Sequence, residues 1–441
     1  MTTPRETPPQ PGKWEAIAVW VLRVAIGATF VMSGFVKMID LWGFIFKLEE
    51  YLAIWHISQP RTIVFMMALL VSGYEFVLGA LMMMGCYKRT TAWGLTLMMM
   101  VMLPLTAWIW ITDPVSDCGC FGEFWVISNG ATFAKNLVIT AALVYLIARS
   151  HRVKMALFNP SIQWVVGAWL SLYIICIGLY GYNIQPMLDF RSFPIGGAPV
   201  ASSITDGNDD ADEAFEFIYE KDGQRKTFSI DNLPDSSWTF IDRAPADDAE
   251  PLSELAASSG DLAVFDADGN DVTSEVIIPD GEELILVIPE PVRADISFTY
   301  SINEMYEYAD SIGIPMVALL GTDARGVERW IDWAMAEYPC YTADDTQLKE
   351  LARGTMSVVF LKDGIPAAKI SVGAIDPASI ENPSGREAFL DTFADNGRRV
   401  LMWLNIIFGG VLLLLYLFQG IILAVRLKLL KKYRLKHRKN A

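Results

Sequence analysis

The chain has 441 residues, of which 53% are hydrophobic, and its mean hydropathy is +0.32. This composition is too apolar for an ordinary soluble protein, and the length allows a membrane part together with a separate domain. The formal net charge of −16 is uneven, since residues 189–395 hold 42 acids and only 13 bases. A strongly acidic region repels anionic partners, which excludes nucleic acid as a partner.

Six stretches are long and apolar enough to cross a bilayer, which takes about 20 residues. They lie near residues 16–38, 62–85, 91–112, 132–148, 162–182 and 400–425. The acidic region between the fifth and sixth stretches contains no such segment. The sequence therefore predicts a soluble domain inserted between two spans of a membrane protein.

The distribution of Lys and Arg predicts the orientation, because these residues accumulate in cytoplasmic loops. The basic side holds the N-terminus, the loop with Lys88 and Arg89, the loop with Arg149, and the tail "RLKLLKKYRLKHRKNA" with eight Lys or Arg. The alternate loops carry acids instead. We therefore expect a multi-pass protein of the inner (cytoplasmic) membrane, with both termini cytoplasmic and residues 183–397 extracytoplasmic.

Two charged residues, Arg23 and Glu75, lie within spanning stretches, where an unpaired charge is expensive. Counted from the membrane boundaries at about 1.5 Å per residue, both lie at the same depth. This predicts a buried ion pair between the first two spans, serving orientation and register. A proton or quinone site at these residues is the alternative.

The loop between the third and fourth spans reads "SDCGCFGEFWVISNGATFAKN" and holds Cys118 and Cys120 with one glycine between them. A disulfide across so short a ring is strained, and strained, exposed disulfides are the labile, oxidising ones. Lys135 and Lys37 are expected near the outer ends of the fourth and first spans, where a cation favours the thiolate. Three interpretations stay open, namely a redox-active pair, a static disulfide that braces the loop, and two inert thiols.

The remaining sulfur and imidazole side chains do not indicate a metal site. There is no Cys-x-x-Cys, and the three histidines are scattered along the chain. The methionine runs at 82–84 and 98–100 contain soft ligands for copper(I), but consecutive residues point in different directions around a helix. Methionine is also a common gap-filling residue. We predict no metal centre.

The soluble region changes character at residue 284. Before it, short strand-like runs alternate with turns such as "DGQ" and "PDGEE". After it, "LILVIP", "PMVALLG" and the hairpin "TMSVVFLKDGIPAAKISV" predict strands, and "SINEMYEYADSIG", "DARGVERWIDWAMAEY" and "DDTQLKELARG" predict helices. This order resembles a thioredoxin-like fold, although the Cys-x-x-Cys that such enzymes carry after the first of these strands is missing. We interpret the domain as a binding or docking module.

Cys340, in "EYPCYTADD", lies at the start of a predicted strand of this domain. It is either a half-buried core residue or a resolving thiol that exchanges with Cys118 or Cys120. Metal binding is the remaining alternative.

The first span "RVAIGATFVMSGFVKMID", the second "GYEFVLGALMMMG" and the loop "DCGCFG" followed by "TFAKN" resemble the DoxX-like membrane proteins and their MauE branch, the methylamine-utilisation-type membrane proteins. The resemblance covers roughly residues 14–150. It implies a compact four-helix bundle associated with thiol redox or disulfide formation and, in some relatives, quinone-linked electron transfer. The matching positions are Arg23, Gly27, Gly34, Lys37, Glu75, Gly79, Cys118, Cys120, Phe121, Gly122 and Lys135.

A longer resemblance covers nearly the whole chain. Runs such as "FEFIYEKDGQRKTFSIDNLPDSSWTFID" and "INEMYEYADSIGIPMVALLGT" are similar to DoxX-type proteins of Bacteroidetes that carry an extracytoplasmic extension.

The expected fold class is an α-helical membrane protein with a four-helix DoxX/MauE-like bundle, two further transmembrane helices and an extracytoplasmic α/β thioredoxin-like domain. The expected parts are a cytoplasmic N-terminus (1–13), the bundle (14–150), the fifth transmembrane helix (151–182), an acidic linker (183–213), a small β-rich region (214–283), the degenerate thioredoxin-like domain (284–397), the sixth transmembrane helix (398–426) and a basic cytoplasmic tail (427–441).

The expected function is thiol–disulfide exchange at the extracytoplasmic face. Cys118 and Cys120 would carry the exchange, Lys135 and Lys37 would stabilise the thiolate, and a quinone is the candidate electron acceptor. The expected partners are membrane lipid and extracytoplasmic protein thiols or envelope proteins. The alternative is a non-catalytic membrane assembly or scaffold factor whose outer domain binds envelope proteins. A transporter is the third interpretation, disfavoured because inverted repeats and broken polar helices are missing.

Overall fold

A computed structural model describes residues 12–115, 118–149, 156–201, 215–221, 224–228, 239–245, 262–381 and 383–439, with backbone only for 215–245 and 430–439. The chain divides into two compact units, residues 1–190 with 396–441 and residues 191–395. We call them the membrane unit and the acidic unit. Of the predicted acidic linker, residues 202–213 lie outside the described residues.

The helices and strands follow the chain in this order. The helices are α1 (Lys13–Ile39), α2 (Leu41–Ile54), α3 (Arg61–Met84), α4 (Lys88–Thr112), α5 (Asn129–Arg149), α6 (Gln163–Asn183), α7 (Thr273–Val276), α8 (Thr299–Ser311), α9 (Ala324–Ala334), α10 (Asp345–Leu351), α11 (Pro377–Glu381), α12 (Arg386–Asp391) and α13 (Gly397–Lys439). The strands are β1 (Phe215–Lys221), β2 (Gln224–Phe228), β3 (Thr239–Pro245), β4 (Val264–Phe265), β5 (Glu282–Ile288), β6 (Met316–Leu320), β7 (Cys340–Ala343), β8 (Ser357–Lys362) and β9 (Ile365–Ser371).

Six helices of the described chain are long and apolar enough to cross a membrane. They are α1, α3, α4, α5, α6 with the short turn before it, and α13, and they coincide with the six predicted stretches. The prediction of a multi-pass membrane protein is confirmed at this level. The long α13 exposes most of its apolar side chains, which indicates contact with lipid.

The sequence analysis did not predict α2, which has 14 residues and is too short to span a bilayer. The carboxylate of Asp40 caps it by accepting a hydrogen bond from the Gly43 N–H at 3.0 Å. The helix packs against the end of α6, where the Trp42 ring stacks on Tyr182 at 4.8 Å between centroids. It therefore covers one end of the bundle and shields what lies beneath it from solvent.

Glycines set the register of α1 against α3. A Cβ added at Gly27 would lie 2.7 Å from the Gly79 carbonyl oxygen, and one added at Gly34 would lie 2.6 Å from the Ser72 carbonyl oxygen. Contacts this short are not compatible with a larger side chain, so the two backbones touch here because neither glycine carries one. This contact fixes which residues of the two helices face each other.

We expect Gly34→Ala to lower the free energy of unfolding of the full-length protein by about 1–3 kcal/mol, because the added methyl group has to push two backbones apart. Thermal unfolding in detergent measures it. Gly410→Ala, in α13, is the matched control, since an added Cβ there meets nothing within 4 Å. Equal melting temperatures for the two variants would contradict the close packing of α1 on α3.

The acidic unit contains a six-stranded mixed sheet in the order β4-β7-β6-β5-β8-β9 and a separate three-stranded antiparallel sheet, β2-β1-β3. In the larger sheet β5, β6 and β7 are parallel, whereas β8 is antiparallel to β5 and pairs with β9 as a hairpin. The central strand β5 is buried on both faces, as its continuous apolar run "LILVI" indicates. The strands and helices predicted after residue 284 are all present.

Part of the predicted linker packs in the acidic unit. Val200 is fully buried, and its N–H donates to the Gly364 carbonyl oxygen at 2.9 Å in the turn between β8 and β9. Gly196 N–H likewise donates to the Pro366 carbonyl oxygen at 2.8 Å. Residues 196–200 of the predicted linker are therefore tied to the sheet of the acidic unit.

Candidate functional site

The loop between α4 and α5 brings the two cysteines of the "CGC" sequence together. At the start of α5, the Asn129 side-chain N–H group donates to Asp113 Oδ1 at 2.9 Å and to the Val115 carbonyl oxygen at 3.1 Å, which closes the loop at its base. Gly119 between the cysteines has a φ of +64°, a left-handed conformation that favours glycine. The chain reverses there, and both cysteine side chains lie on the same side.

The sulfur atoms of Cys118 and Cys120 lie 2.8 Å apart, and both residues are free thiols in the structure. This separation allows a thiol to donate a hydrogen bond to a thiolate. The two positions differ in access, since Cys118 is half-buried while Cys120 is only 8% exposed. A sulfur atom of another molecule therefore reaches Cys118 before Cys120.

The surroundings divide the pair into one thiolate and one thiol. The hydrogen bond from Cys120 is the largest cause that lowers the pKa of Cys118, to about 6, and the Thr132 hydroxyl and the Lys135 charge lower it further. The same hydrogen bond, together with burial, raises the pKa of Cys120 well above its usual value. At neutral pH these shifts favour a thiolate at the half-buried Cys118 and a thiol at the buried Cys120.

Thr132, on the first turn of α5, was not singled out from the sequence. The residue is 1% exposed, and its hydroxyl has no hydrogen-bond partner in the described part of the chain. It lines a small cavity with Cys118 and Gly119. A buried hydroxyl without a partner is costly, and this one lies close enough to Cys118 to lower the pKa of its thiol.

Lys135, one turn further along α5, lies where the sequence analysis placed a cation. Its ammonium nitrogen is 4.4 Å from the centroid of the Phe121 ring, a cation–π distance. No carboxylate among the described residues forms an ion pair with it. Its charge is therefore free to act on the cysteine pair.

Lys37, the second predicted cation, forms an ion pair with Glu75. Its ammonium nitrogen lies 2.8 Å from Glu75 Oε1 and 3.0 Å from Glu75 Oε2, and the two side chains are 1% and 2% exposed. The Phe44 ring of α2 covers it at 5.0 Å. A fully buried ion pair of this kind depends on both partners.

The predicted ion pair between Arg23 and Glu75 is wrong. Glu75 pairs with Lys37, whereas Arg23 Nε donates to the Met82 carbonyl oxygen at 3.3 Å near the end of α3. The depth estimate failed because the glycine contacts place Glu75 opposite the stretch of α1 around Ser33 and Lys37. Lys37 was expected at the membrane boundary, whereas α2, which was not predicted, buries it.

Ser33 links the ion pair to the cysteine loop. Its hydroxyl oxygen is 2.7 Å from Glu75 Oε2 and 2.7 Å from the carbonyl oxygen of Cys120, and it accepts a hydrogen bond from Lys37 at 3.2 Å. The sequence analysis missed this residue. Its spacing of four from Lys37 was a usable signal, because residues i and i+4 share one helix face.

A cavity of about 30 Å³ lies beneath the cysteine pair. This volume is room for about two water molecules. Its polar lining consists of Thr29, Ser33, Glu75, Cys120, Lys135 and Asn136, and its apolar lining includes Met98, Met99 and Met102 of α4. The structure thus brings together Cys118, Cys120, Lys37, Lys135 and Glu75 from four separate segments.

The match to known proteins falls on these same residues. Residues 15–149 match the family model described as methylamine utilisation protein MauE. This MauE-type segment runs from α1 to the end of α5 and contains every residue of the site above, but it is less than half of the chain. A second model, a domain of unknown function (DUF8463), matches residues 213–245. No curated protein and no solved structure matches the chain.

Cys340 lies outside the MauE-type segment, at the start of β7 in the acidic unit. Its side chain is half-buried, and its thiol donates to the Tyr338 carbonyl oxygen at 3.5 Å. Burial raises the pKa of Cys340 to about 12. It is a neutral thiol at physiological pH, and its role as a resolving thiol stays a prediction.

Proposed function

We propose that this protein exchanges disulfides with proteins outside the cytoplasm through the Cys118–Cys120 pair. The observation that carries the proposal is the asymmetry of the pair, in which the half-buried Cys118 lies 2.8 Å from the buried Cys120 and the pKa is lowered at Cys118 but raised at Cys120. Thiol–disulfide exchange needs a thiolate to attack and a second sulfur to resolve the mixed disulfide. An inert pair needs neither arrangement.

The exchange takes place in two steps. The Cys118 thiolate attacks a client disulfide, forming a bond between Cys118 and one client sulfur and releasing the other as a thiolate. Cys120 then loses its proton and attacks Cys118, so that the Cys118–Cys120 disulfide forms and the second client thiolate leaves. The client gains two electrons and the pair loses two. The same steps in reverse oxidise a client dithiol.

The orientation in the membrane is part of the proposal. The positive-inside pattern puts the loop with the cysteines and residues 183–397 on the extracytoplasmic side of the inner membrane. Disulfides persist in that compartment and are rare in the cytoplasm. The clients are then envelope proteins, and the acidic unit is the module that binds them.

The likeness of the acidic unit to thioredoxin-like domains also belongs to the proposal. It is supported by the parallel strands β5 and β6 beside the antiparallel β8–β9 hairpin. The segment after β5, "EPVRADIS", has no cysteine. The unit therefore binds clients without a dithiol of its own, and Cys340 is the only sulfur nucleophile that its sequence offers.

A quinone does not fit the cavity beneath the pair. At about 30 Å³ the cavity takes water molecules, whereas organic ligands occupy pockets of roughly 300 Å³ or more. No step of the exchange above runs through a quinone. The oxidised or reduced form of the pair is restored by a second protein disulfide or dithiol.

We expect Cys120→Ser to accumulate a mixed disulfide with envelope proteins and Cys118→Ser to accumulate none, because only Cys118 is the attacking thiolate. Trapping with acid and an alkylating reagent, followed by non-reducing electrophoresis and mass spectrometry, measures it. Cys176→Ser is the matched control, since Cys176 lies in α6 away from the pair. It should behave as the wild type.

A non-catalytic scaffold would give the opposite result in the trapping experiment. If the pair only braces the loop, neither serine variant traps a partner, and the wild-type pair stays oxidised in mild reductant. Equal trapping by both serine variants would instead contradict the assignment of Cys118 as the attacking residue.

A further inference from the structure

The hydroxyl of Ser33 has one hydrogen but two acceptors. Glu75 Oε2 and the Cys120 carbonyl oxygen each lie 2.7 Å from it, and the carbonyl is an acceptor only. When Glu75 is ionised, Ser33 satisfies one of them and leaves the other short contact without a hydrogen. When Glu75 carries a proton, it donates to Ser33, and Ser33 donates to Cys120. The hydrogen bonds around Ser33 can therefore accommodate one additional proton on Glu75 when that carboxylate receives it.

The second step of the exchange needs a base near Cys120. Its thiol proton has to leave before its sulfur attacks Cys118, and at 8% exposure Cys120 has little access to bulk water. Cys118 cannot take the proton, because its sulfur is then bonded to the client. The ammonium groups of Lys135 and Lys37 have no lone pair with which to accept it. In the lining of the cavity, Glu75 is the one carboxylate.

The cavity supplies the path between the two groups. Both Cys120 and Glu75 line it, and it has room for about two water molecules. Water in a chain of hydrogen bonds transfers a proton without movement of either side chain.

We propose that Glu75 is the proton acceptor of the cysteine pair, receiving through water in the cavity the proton that Cys120 gives up as the disulfide forms. In the reverse direction the protonated Glu75 returns the proton to the Cys120 thiolate as it leaves. This inference rests on the exchange function proposed above. Glu75 touches no client atom and acts on Cys120 through water.

Other charged groups surround Glu75 on each side. Lys37 faces it from α1, Cys120 and Cys118 from the loop, and Lys135 from α5 across the cavity. On the other side of α3, α6 places Tyr173 against Phe76, the residue after Glu75. The cavity-lining residues of α4 are uncharged methionines. Protonation of Glu75 therefore leaves Lys37 and Lys135 as two positive charges beside the thiolate.

The test uses the full-length reduced protein in which Cys86, Cys176 and Cys340 are replaced by alanine. An aromatic disulfide, dithiobis(nitrobenzoate), separates the two steps. The first coloured thiolate reports attack by Cys118, and the second reports attack by Cys120. We expect Glu75→Gln to leave the first release unchanged and to slow the second about 100-fold, the size of a general-base effect.

The pH dependence gives a signature that a structural role would not produce. Without the carboxylate, hydroxide has to remove the proton, so the second release should accelerate about tenfold per pH unit, more steeply than in the protein that keeps Glu75. Ser33→Ala should slow the second step less than Glu75→Gln, because the cavity path remains.

Two further variants keep the test decisive. Lys37→Met combined with Glu75→Gln leaves no unpaired buried charge and should slow the second release as the single variant does, whereas Lys37→Arg should keep it. A second release at the wild-type rate, or equal slowing of both releases, overturns the role of Glu75 while the exchange function stands. Absence of the first release contradicts the exchange function itself.

Discussion

Replacement of Lys37 by methionine is expected to lower the free energy of unfolding of the full-length protein by about 3–5 kcal/mol. The reason is that the carboxylate of Glu75, 2% exposed, would stay buried away from bulk solvent without its cation. Titration with a denaturing detergent, followed by circular dichroism, measures the loss. Lys362→Met is the matched control, because Lys362 is 60% exposed and lies 4.0 Å from Glu282, and such a pair contributes at most about 1 kcal/mol.

The double variant Lys37→Met with Glu75→Met separates an ion pair from a general requirement for polar side chains. Replacing both partners of a buried pair by apolar residues is often neutral, so most of the lost stability should return. The double variant Arg23→Glu with Glu75→Arg, which exchanges the two charges, should not have wild-type stability, since Arg23 bonds to the Met82 carbonyl oxygen and not to Glu75. Recovery by that exchange, and none by the double methionine variant, would contradict the pairing described here.

Hydropathy and the spacing of apolar residues predicted the membrane spans because each is a long, local signal. The short helix α2 was missed because its 14 residues do not reach spanning length, and its burial depends on contacts with α6. That omission led directly to the wrong partner for Glu75, since α2 is what buries Lys37. The pairing of buried charges depends on helix register, which two glycines set and no depth count reveals.

The cysteine site was predictable in part. The sequence placed Cys118, Cys120 and two cations in one region, and the structure brings all four together. Thr132 was not predictable, because a hydroxyl in an apolar helix usually bonds to its own backbone, and for Ser33 only its spacing of four from Lys37 was a signal. Only the fold shows that Ser33 contacts Glu75 and Cys120, and that the buried Thr132 hydroxyl, without a hydrogen-bond partner among the described residues, lies beside Cys118.

The reaction of Cys118 with an alkylating reagent is expected to show a midpoint near pH 6, because the pKa of this thiol is lowered to about 6. An ordinary thiol, with a pKa of about 8.5, would be almost unreactive at that pH. The rate of alkylation by iodoacetamide between pH 4 and 10 measures it, in protein whose Cys86, Cys176 and Cys340 are alanine. A midpoint at about pH 8.5, as for an ordinary thiol, would contradict the assignment of Cys118 as a thiolate at neutral pH.

The variant Cys120→Ala shows which group lowers the pKa of Cys118. Since the hydrogen bond from Cys120 is the largest cause, its removal should move the midpoint upward by more than Thr132→Val or Lys135→Met does. A midpoint unchanged in Cys120→Ala, with a large shift in Lys135→Met, would assign the effect to charge instead.

The lowered pKa of Cys118 also affects how strongly the Cys118–Cys120 disulfide oxidises a client. A thiol whose pKa is lower in the folded protein stabilises the folded, reduced state fully above the ordinary thiol pKa of about 8.5, and this stabilisation is lost as the pH falls to about 6. Stabilising the thiolate makes the corresponding disulfide more oxidising. The pair should therefore oxidise clients more strongly at pH 7 than at pH 5 relative to a dithiol with ordinary pKa values. Equilibration with glutathione at pH 7 and pH 5 measures the reduction potential of the pair relative to that of glutathione. The same difference between the two potentials at both pH values would contradict the prediction.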